Sequence, residues 1–176
     1  MPTRGLPALL AALALLLVAC GGPGDGDGGA LGVDAGEGAL PEATFAGLLD
    51  PEETVSTTDW LGTPTVVNFW ATWCVFCLEE MPALQEASER LDGRVRFVGI
   101  DRQDPRDDAL DFLERTGVTY DQVASPDGTY FETVRARGMP TTLFVDADGL
   151  VRYRHTGPLE LEDVLELVAE HLGVQA

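Results

Sequence analysis

The stretch Val67-Asn68-Phe69-Trp70-Ala71-Thr72-Trp73-Cys74-Val75-Phe76-Cys77 decides how this chain is read. Its first half, extended back to Thr65, is β-branched and aromatic with little polar interruption, the pattern of a central strand covered on both faces. Its second half sets a Cys-x-x-Cys pair directly after that strand, at the start of a helix expected to run from Cys74 to about Leu91. This placement carries chemistry. Unpaired backbone N–H groups and the helix dipole favour negative charge at a helix N-terminus. A thiol seated there loses its proton more readily, and the thiolate is the nucleophile. Cys74 is therefore expected to be the exposed attacking thiol. Cys77, one turn further in, is expected to resolve the mixed disulfide.

Other uses of the pair are weaker. A zinc site needs two more ligands, but the chain has no second cysteine pair, and His155 and His171 fall on distant elements. A structural disulfide across so short a loop stabilises little through chain entropy. Redox exchange is the better reading.

The helix also carries an acid. Cys77, Met81, Leu84, Ser88 and Leu91 trace its buried stripe. Glu79 falls about 200° round from Cys77 and faces water, whereas Glu80 falls about 60° off the stripe. A half-buried carboxylate beside the cysteines would have a raised pKa and could relay a proton to or from the resolving thiol. The plainer alternative is a surface glutamate favouring the first helical turns. Pro82 is expected to kink the helix.

Outward from this unit the elements alternate. Ala43 to Leu49 and Glu53 to Ser56 suggest a leading hairpin, and Thr58 to Leu61 a capped helical turn. Arg94 to Asp101 reads as a second buried strand. Pro105 to Thr116 reads as a helix stopped by Gly117, and Tyr120 to Ala124 as a strand. A short helix is expected from Thr129 to Arg137, ended by Gly138. Thr141 to Asp146 and Leu150 to His155 form a hairpin through Ala147-Asp148-Gly149. An amphipathic helix, Leu159 to Leu172, closes the chain. The fold class is α/β, with a sheet that is parallel at its centre and antiparallel at one edge.

The formal charge of −19 leaves no basic surface for nucleic acid or for an anionic membrane face. All eleven basic residues are arginine. Three cysteines are an odd number, and the odd one, Cys20, lies at the end of the apolar run Leu6 to Ala19 behind Arg4. That run has the length of a signal-peptide core and is short for a bilayer span. Leu17-Val18-Ala19-Cys20-Gly21 resembles a lipobox, in which Cys20 becomes the lipidated N-terminus. The alternative is an ordinary signal peptide cut near Ala19. Residues 20–39, rich in Gly and Asp, cannot offset their ordering entropy by burial and read as a flexible tether. The expected organisation is a signal peptide over 1–19, a tether over 20–39 and one folded domain over 40–176, about 135 residues and large enough for its own core.

One more motif stands before the last strands: Gly138-Met139-Pro140-Thr141-Thr142. Composition alone makes Pro140 only a proline at a strand start. Taken together, the strand and dithiol, Glu79-Glu80-Met81-Pro82 and this Pro-Thr element closely resemble the TlpA/ResA branch of the thioredoxin superfamily, from about Leu40 to the C-terminus.

The resemblance implies a thioredoxin-like fold with an inserted helix–strand unit, here Pro105 to Ala124, and an N-terminal hairpin. It implies Cys74, Cys77 and Glu80 as catalytic residues, with Trp73, Met139 and Pro140 binding substrate. Pro140 would be cis and packed on the dithiol, leaving the Met139 backbone free to pair with a substrate strand. Asn68 stands where thioredoxin carries its acid, so the carboxylate has moved rather than vanished.

The implied activity is disulfide reduction in exported proteins such as apocytochrome c. The implied protein is a monomer, lipid-anchored on the extracytoplasmic face of a bacterial membrane, and it uses no cofactor or metal. A membrane thiol carrier would supply its electrons. Val75-Phe76 departs from the family, which often has proline before the second cysteine. That dipeptide tunes the dithiol–disulfide equilibrium, so a dithiol oxidase running the same steps backwards stays open. Phe76 is either a docking surface or a filler. A peroxiredoxin-like activity fits poorly, since Pro64 is too far upstream of the cysteines. A Sco-type copper carrier fits poorly too, because it wants a three-residue gap and a histidine ligand, and His155 reads as a surface strand residue.

Overall fold

The computed structural model describes Met1, Val33–Asp34 and residues 38–176. The stretch read as a signal peptide, apart from Met1, and most of the stretch read as a tether, with Cys20, lie outside the described residues. The elements are β1 (Val33–Asp34), β2 (Thr44–Gly47), β3 (Thr54–Ser56), a 3-10 turn (Thr57–Trp60), β4 (Thr65–Trp70), α1 (Val75–Leu91), β5 (Arg96–Arg102), α2 (Arg106–Thr116), β6 (Asp121–Ser125), α3 (Thr129–Thr133), β7 (Thr141–Val145), β8 (Val151–Thr156) and α4 (Leu161–Leu172).

One sheet runs in the order β1-β8-β7-β4-β5-β6-β2-β3. The strands β4, β5 and β6 are parallel, and β7 and β8 return antiparallel on the other side of β4. This is the thioredoxin-like arrangement expected. The inserted unit is α2 with β6, and the N-terminal hairpin adds β2 and β3 to the outer edge of β6. All six residues of β4 are buried, which is why its sequence shows no alternation. One face of the sheet is covered by α1, α2 and α4, through side chains such as Trp70, Met81, Leu84, Phe112, Phe144, Val164 and Val168. The other carries the 3-10 turn and α3 on a second cluster built from Phe45, Trp60, Phe69, Tyr130 and Phe131.

Two boundaries and one buried helix face depart furthest from expectation. The sheet reaches back into the stretch read as tether, where Val33 and Asp34 pair with Arg154 and Tyr153 and Ala39 bridges to Leu150. The short helix α3 stops at Thr133 rather than near Arg137. Arg135 takes a left-handed φ of 58°, and Val134 and Ala136 turn into the second cluster, so tertiary burial overrides helical continuation. In α1 the buried stripe runs through Ala87, with Ser88 half-buried beside it. The helix continues through Pro82, which sits on its exposed side.

Candidate active site

The site is built where β4 ends. Its backbone turns at once: the Cys74 N–H donates to the Ala71 carbonyl at 3.0 Å, closing a turn over residues 71–74. Cys74 is the N-cap of α1, and its sulfur accepts the Cys77 N–H at 3.1 Å. An orphan helix donor is thus aimed at the sulfur expected to ionise, the local geometry that lowers a thiol pKa. Cys74 and Cys77 are joined as a disulfide with an S–S distance of 2.06 Å.

In this oxidised state Cys74 is only 4% exposed and Cys77 is fully covered. Cys74 was expected to be open to solvent; instead its neighbours form the surface. Trp73, Val75 and Phe76 are 62%, 64% and 56% exposed. The position of Cys74 at the cap, with its sulfur folded back onto the Cys77 N–H, accounts for its burial.

Glu80 goes further inward than its helical angle suggested. It is 1% exposed, because the chain entering α4 closes over it. One carboxylate oxygen accepts from Asn68 Nδ2 at 2.7 Å, and the other from the Leu159 N–H at 3.2 Å. Asn68 Nδ2 also reaches Thr142 Oγ1 at 3.1 Å. Burial pushes the Glu80 pKa up to about 8, and the two hydrogen bonds pull against it without prevailing. At neutral pH the carboxyl carries a proton. Asn68, at the position expected to have lost an acid, therefore holds the acid supplied by α1.

The Met139–Pro140 peptide is cis. Pro140 is buried and its carbonyl accepts the Gly157 N–H at 3.0 Å. Met139 packs against the core cluster that includes both cysteines. The structure thus gathers Cys74, Cys77 and Glu80 at the start of α1, with Trp73 on the rim and Met139 packed against the same cluster.

His155 is not the surface residue expected. It is 6% exposed and pairs in register with Thr142 on β7, and burial lowers its pKa. His171 stacks face to face on Tyr153 at 4.3 Å.

Two further acids were missed by sequence reasoning. Asp101 ends the buried part of β5, opposite Trp70, and is 1% exposed. Asp104, three residues on, accepts from both the backbone N–H and the hydroxyl of Thr72, at 2.6 Å and 2.8 Å. The only signal was an acid at the end of an apolar strand (Val98-Gly99-Ile100-Asp101), and that pattern does not name its partner.

The redoxin family model matches residues 34–169 of the chain. The chain is a redoxin. A thiol:disulfide interchange protein DsbE of Xylella fastidiosa is 37% identical over 120 residues, a match spanning 68% of this redoxin and 60% of that relative. A DsbE of Allochromatium vinosum is 31% identical over 138 residues, covering 76% and 75% of the two chains. The crystal structure of a DsbF homologue from Corynebacterium diphtheriae superposes with a TM-score of 0.70 at 27% identity, covering 83% of this redoxin and 96% of that chain. The redoxin thus spans about three-fifths of the length of the Xylella relative.

Proposed function

We propose that this redoxin is an extracytoplasmic thiol–disulfide oxidoreductase that reduces disulfides in exported proteins, apocytochrome c among them. One observation carries the reading: a disulfide-linked cysteine pair sits at the first turn of α1, with the Cys77 N–H on the Cys74 sulfur and the buried Glu80, whose pKa burial raises, one turn behind. The names of the DsbE relatives support interchange chemistry.

The cycle begins with reduced protein. The Cys74 thiolate attacks a substrate disulfide, forms a mixed disulfide and expels one substrate thiolate. Glu80 takes the proton of Cys77, whose thiolate attacks the Cys74 sulfur and expels the second substrate thiolate. The protein ends as the disulfide seen in the structure, with the proton on Glu80, where burial favours the neutral acid. Two electrons pass to substrate, and a membrane thiol carrier restores them while Glu80 returns its proton to Cys77. In this reading Trp73, Met139 and Pro140 take the substrate chain, with the Met139 backbone pairing to it; Trp73 adjoins Cys74 in the chain and Met139 packs against the cluster that holds both cysteines. Among the described residues no helix is long and apolar enough to cross a membrane; a lipid on Cys20 and the stretch between it and the first paired residues at Val33 hold the domain at the membrane surface as a monomer.

The test is a Cys77→Ser chain expressed in the native host. A cysteine-bearing exported protein trapped on Cys74 as a mixed disulfide is the expected result, together with a domain potential well below that of glutathione. A potential at or above that of glutathione assigns the reverse, oxidising direction. No trapped partner at all overturns the exchange reading.

A further inference from the structure

The turn over residues 71–74 carries both the attacking sulfur and the exposed Trp73, so whatever holds its corner holds the reaction geometry. From within, the turn is closed by a single hydrogen bond, from the Cys74 N–H to the Ala71 carbonyl. From outside, both donors of Thr72 are taken by one carboxylate, that of Asp104. Among the described residues no other contact reaches the active-site turn from so far along the chain with two hydrogen bonds. Hydrogen bonds to an ionised acceptor are roughly twice as strong as neutral ones.

Asp104 is itself held in place from two sides. Gln103 before it adopts a left-handed φ of 69°, a conformation that costs energy in a residue with a side chain and persists only where its surroundings impose it. They do so here: the Gln103 N–H donates to the Ser125 carbonyl at 3.2 Å, and its side-chain amide donates to the Asp127 carbonyl at 3.0 Å. Pro105 follows, which keeps Asp104 out of helical conformation. Below lies Asp101, buried, with its carboxyl against both the carboxylate and the backbone N–H of Asp104. Burial first, and then the Asp104 carboxylate, push Asp101 up to about 8. At neutral pH it is therefore uncharged, which lets the two carboxyl groups lie side by side. The end of β5, the end of β6 and the start of α2 converge to aim one carboxylate at the corner of the turn.

We infer that Asp104 is a positioning residue for Cys74, clamping Thr72 so that the turn presents the thiol with its sulfur on the Cys77 N–H. This rests on the exchange reading above. A bare charge effect has the opposite sign. A carboxylate near a thiol disfavours the thiolate, so deleting it would lower the Cys74 pKa, whereas losing the clamp raises it.

The experiment follows iodoacetamide alkylation of reduced protein against pH, and exchange with an oxidised model peptide, for wild type, Asp104→Ala and Asp104→Asn, with a thermal melt of each. Asp104→Ala is expected to raise the Cys74 alkylation midpoint by roughly one unit and slow exchange about tenfold. Asp104→Asn, which keeps an acceptor for one Thr72 donor, recovers most of the loss. Equal downward shifts of the midpoint in both variants assign a charge effect and overturn the clamp. An unchanged pH profile overturns it too, even with a lower melting temperature. Should Asp104→Ala not fold, Thr72→Val removes one donor at constant shape; about threefold slower exchange is expected, and an unaltered profile overturns the inference. Wild-type Cys74 reacting no faster than free cysteine sinks the exchange reading itself, a failure distinct from all of these.

Discussion

Glu80 and Asp101 are both almost fully covered, and burial pushes both up to about 8, yet their surroundings differ. Glu80 is met by an amide and a backbone N–H, each of which favours its charged form. Asp101 is met by a second carboxylate, which opposes charge. Burial lifts both, but Glu80 has two donors waiting for the anion, whereas the one donor to Asp101, the Asp104 N–H, comes with the opposing Asp104 carboxylate. The Glu80 proton can leave and return within a catalytic cycle, because both carboxylate oxygens stay bonded when it goes. The proton on Asp101 is what allows two carboxyl groups to sit together, so losing it loosens a structure rather than completing a reaction. Two acids with one apparent pKa thus divide into a proton carrier and a brace.

The largest effect that can break this comparison is at Glu80. Glu80→Gln keeps the shape and removes the proton, and exchange is expected to slow on the order of a hundredfold in stopped-flow assays. A rate close to wild type would remove Glu80 from the cycle. Its effect on stability runs the other way. The folded-state pKa lies above the unfolded one, so the native state binds the extra proton between about 4.5 and 8. The associated stability is complete below 4.5 and is lost as pH rises toward 8. Oxidised Glu80→Gln should therefore melt higher than wild type at pH 8, with the gap closing by pH 4.

Next in size is Asn68→Ala. It strips a donor from a buried carboxyl and is expected to cost about 1–3 kcal/mol in denaturant unfolding while moving the Glu80 titration higher. Destabilisation without that movement would mean that Asn68 serves packing alone.

A smaller effect is expected for Asp101→Asn, which keeps a donor toward Asp104. The raised pKa of Asp101 gives stability that is complete below 3.8 and lost as pH rises through 8. The variant should flatten the alkaline side of the stability profile and leave exchange within about threefold of wild type. If exchange falls as far as in Glu80→Gln, the division between carrier and brace is wrong.

Glu79→Gln is the control. Its side chain is exposed beside Glu80, and stability should stay within about 0.5 kcal/mol of wild type, measured under the same conditions.

What the sequence determined by itself is local and periodic. The apolar run of β4, the cysteines at the head of α1 and the helical angles of Glu79 and Glu80 follow from spacings of a few residues, and the strand–helix alternation gave the fold class. Pattern reading places a residue on a face but not what stands opposite it. Glu80 is sealed by Leu159, which is 79 residues away along the chain, and so its full burial was invisible. Asp104 meets Thr72 across 32 residues, through a strained Gln103 that no composition announces. His155 is covered because β8 lies against β7, and α3 ends early because Val134 and Ala136 find apolar partners in the core. Hydrophobic period is written into neighbouring residues. The partners of buried polar groups are chosen only when the sheet order is complete, since a hydrogen bond needs two distant segments at one distance and one angle.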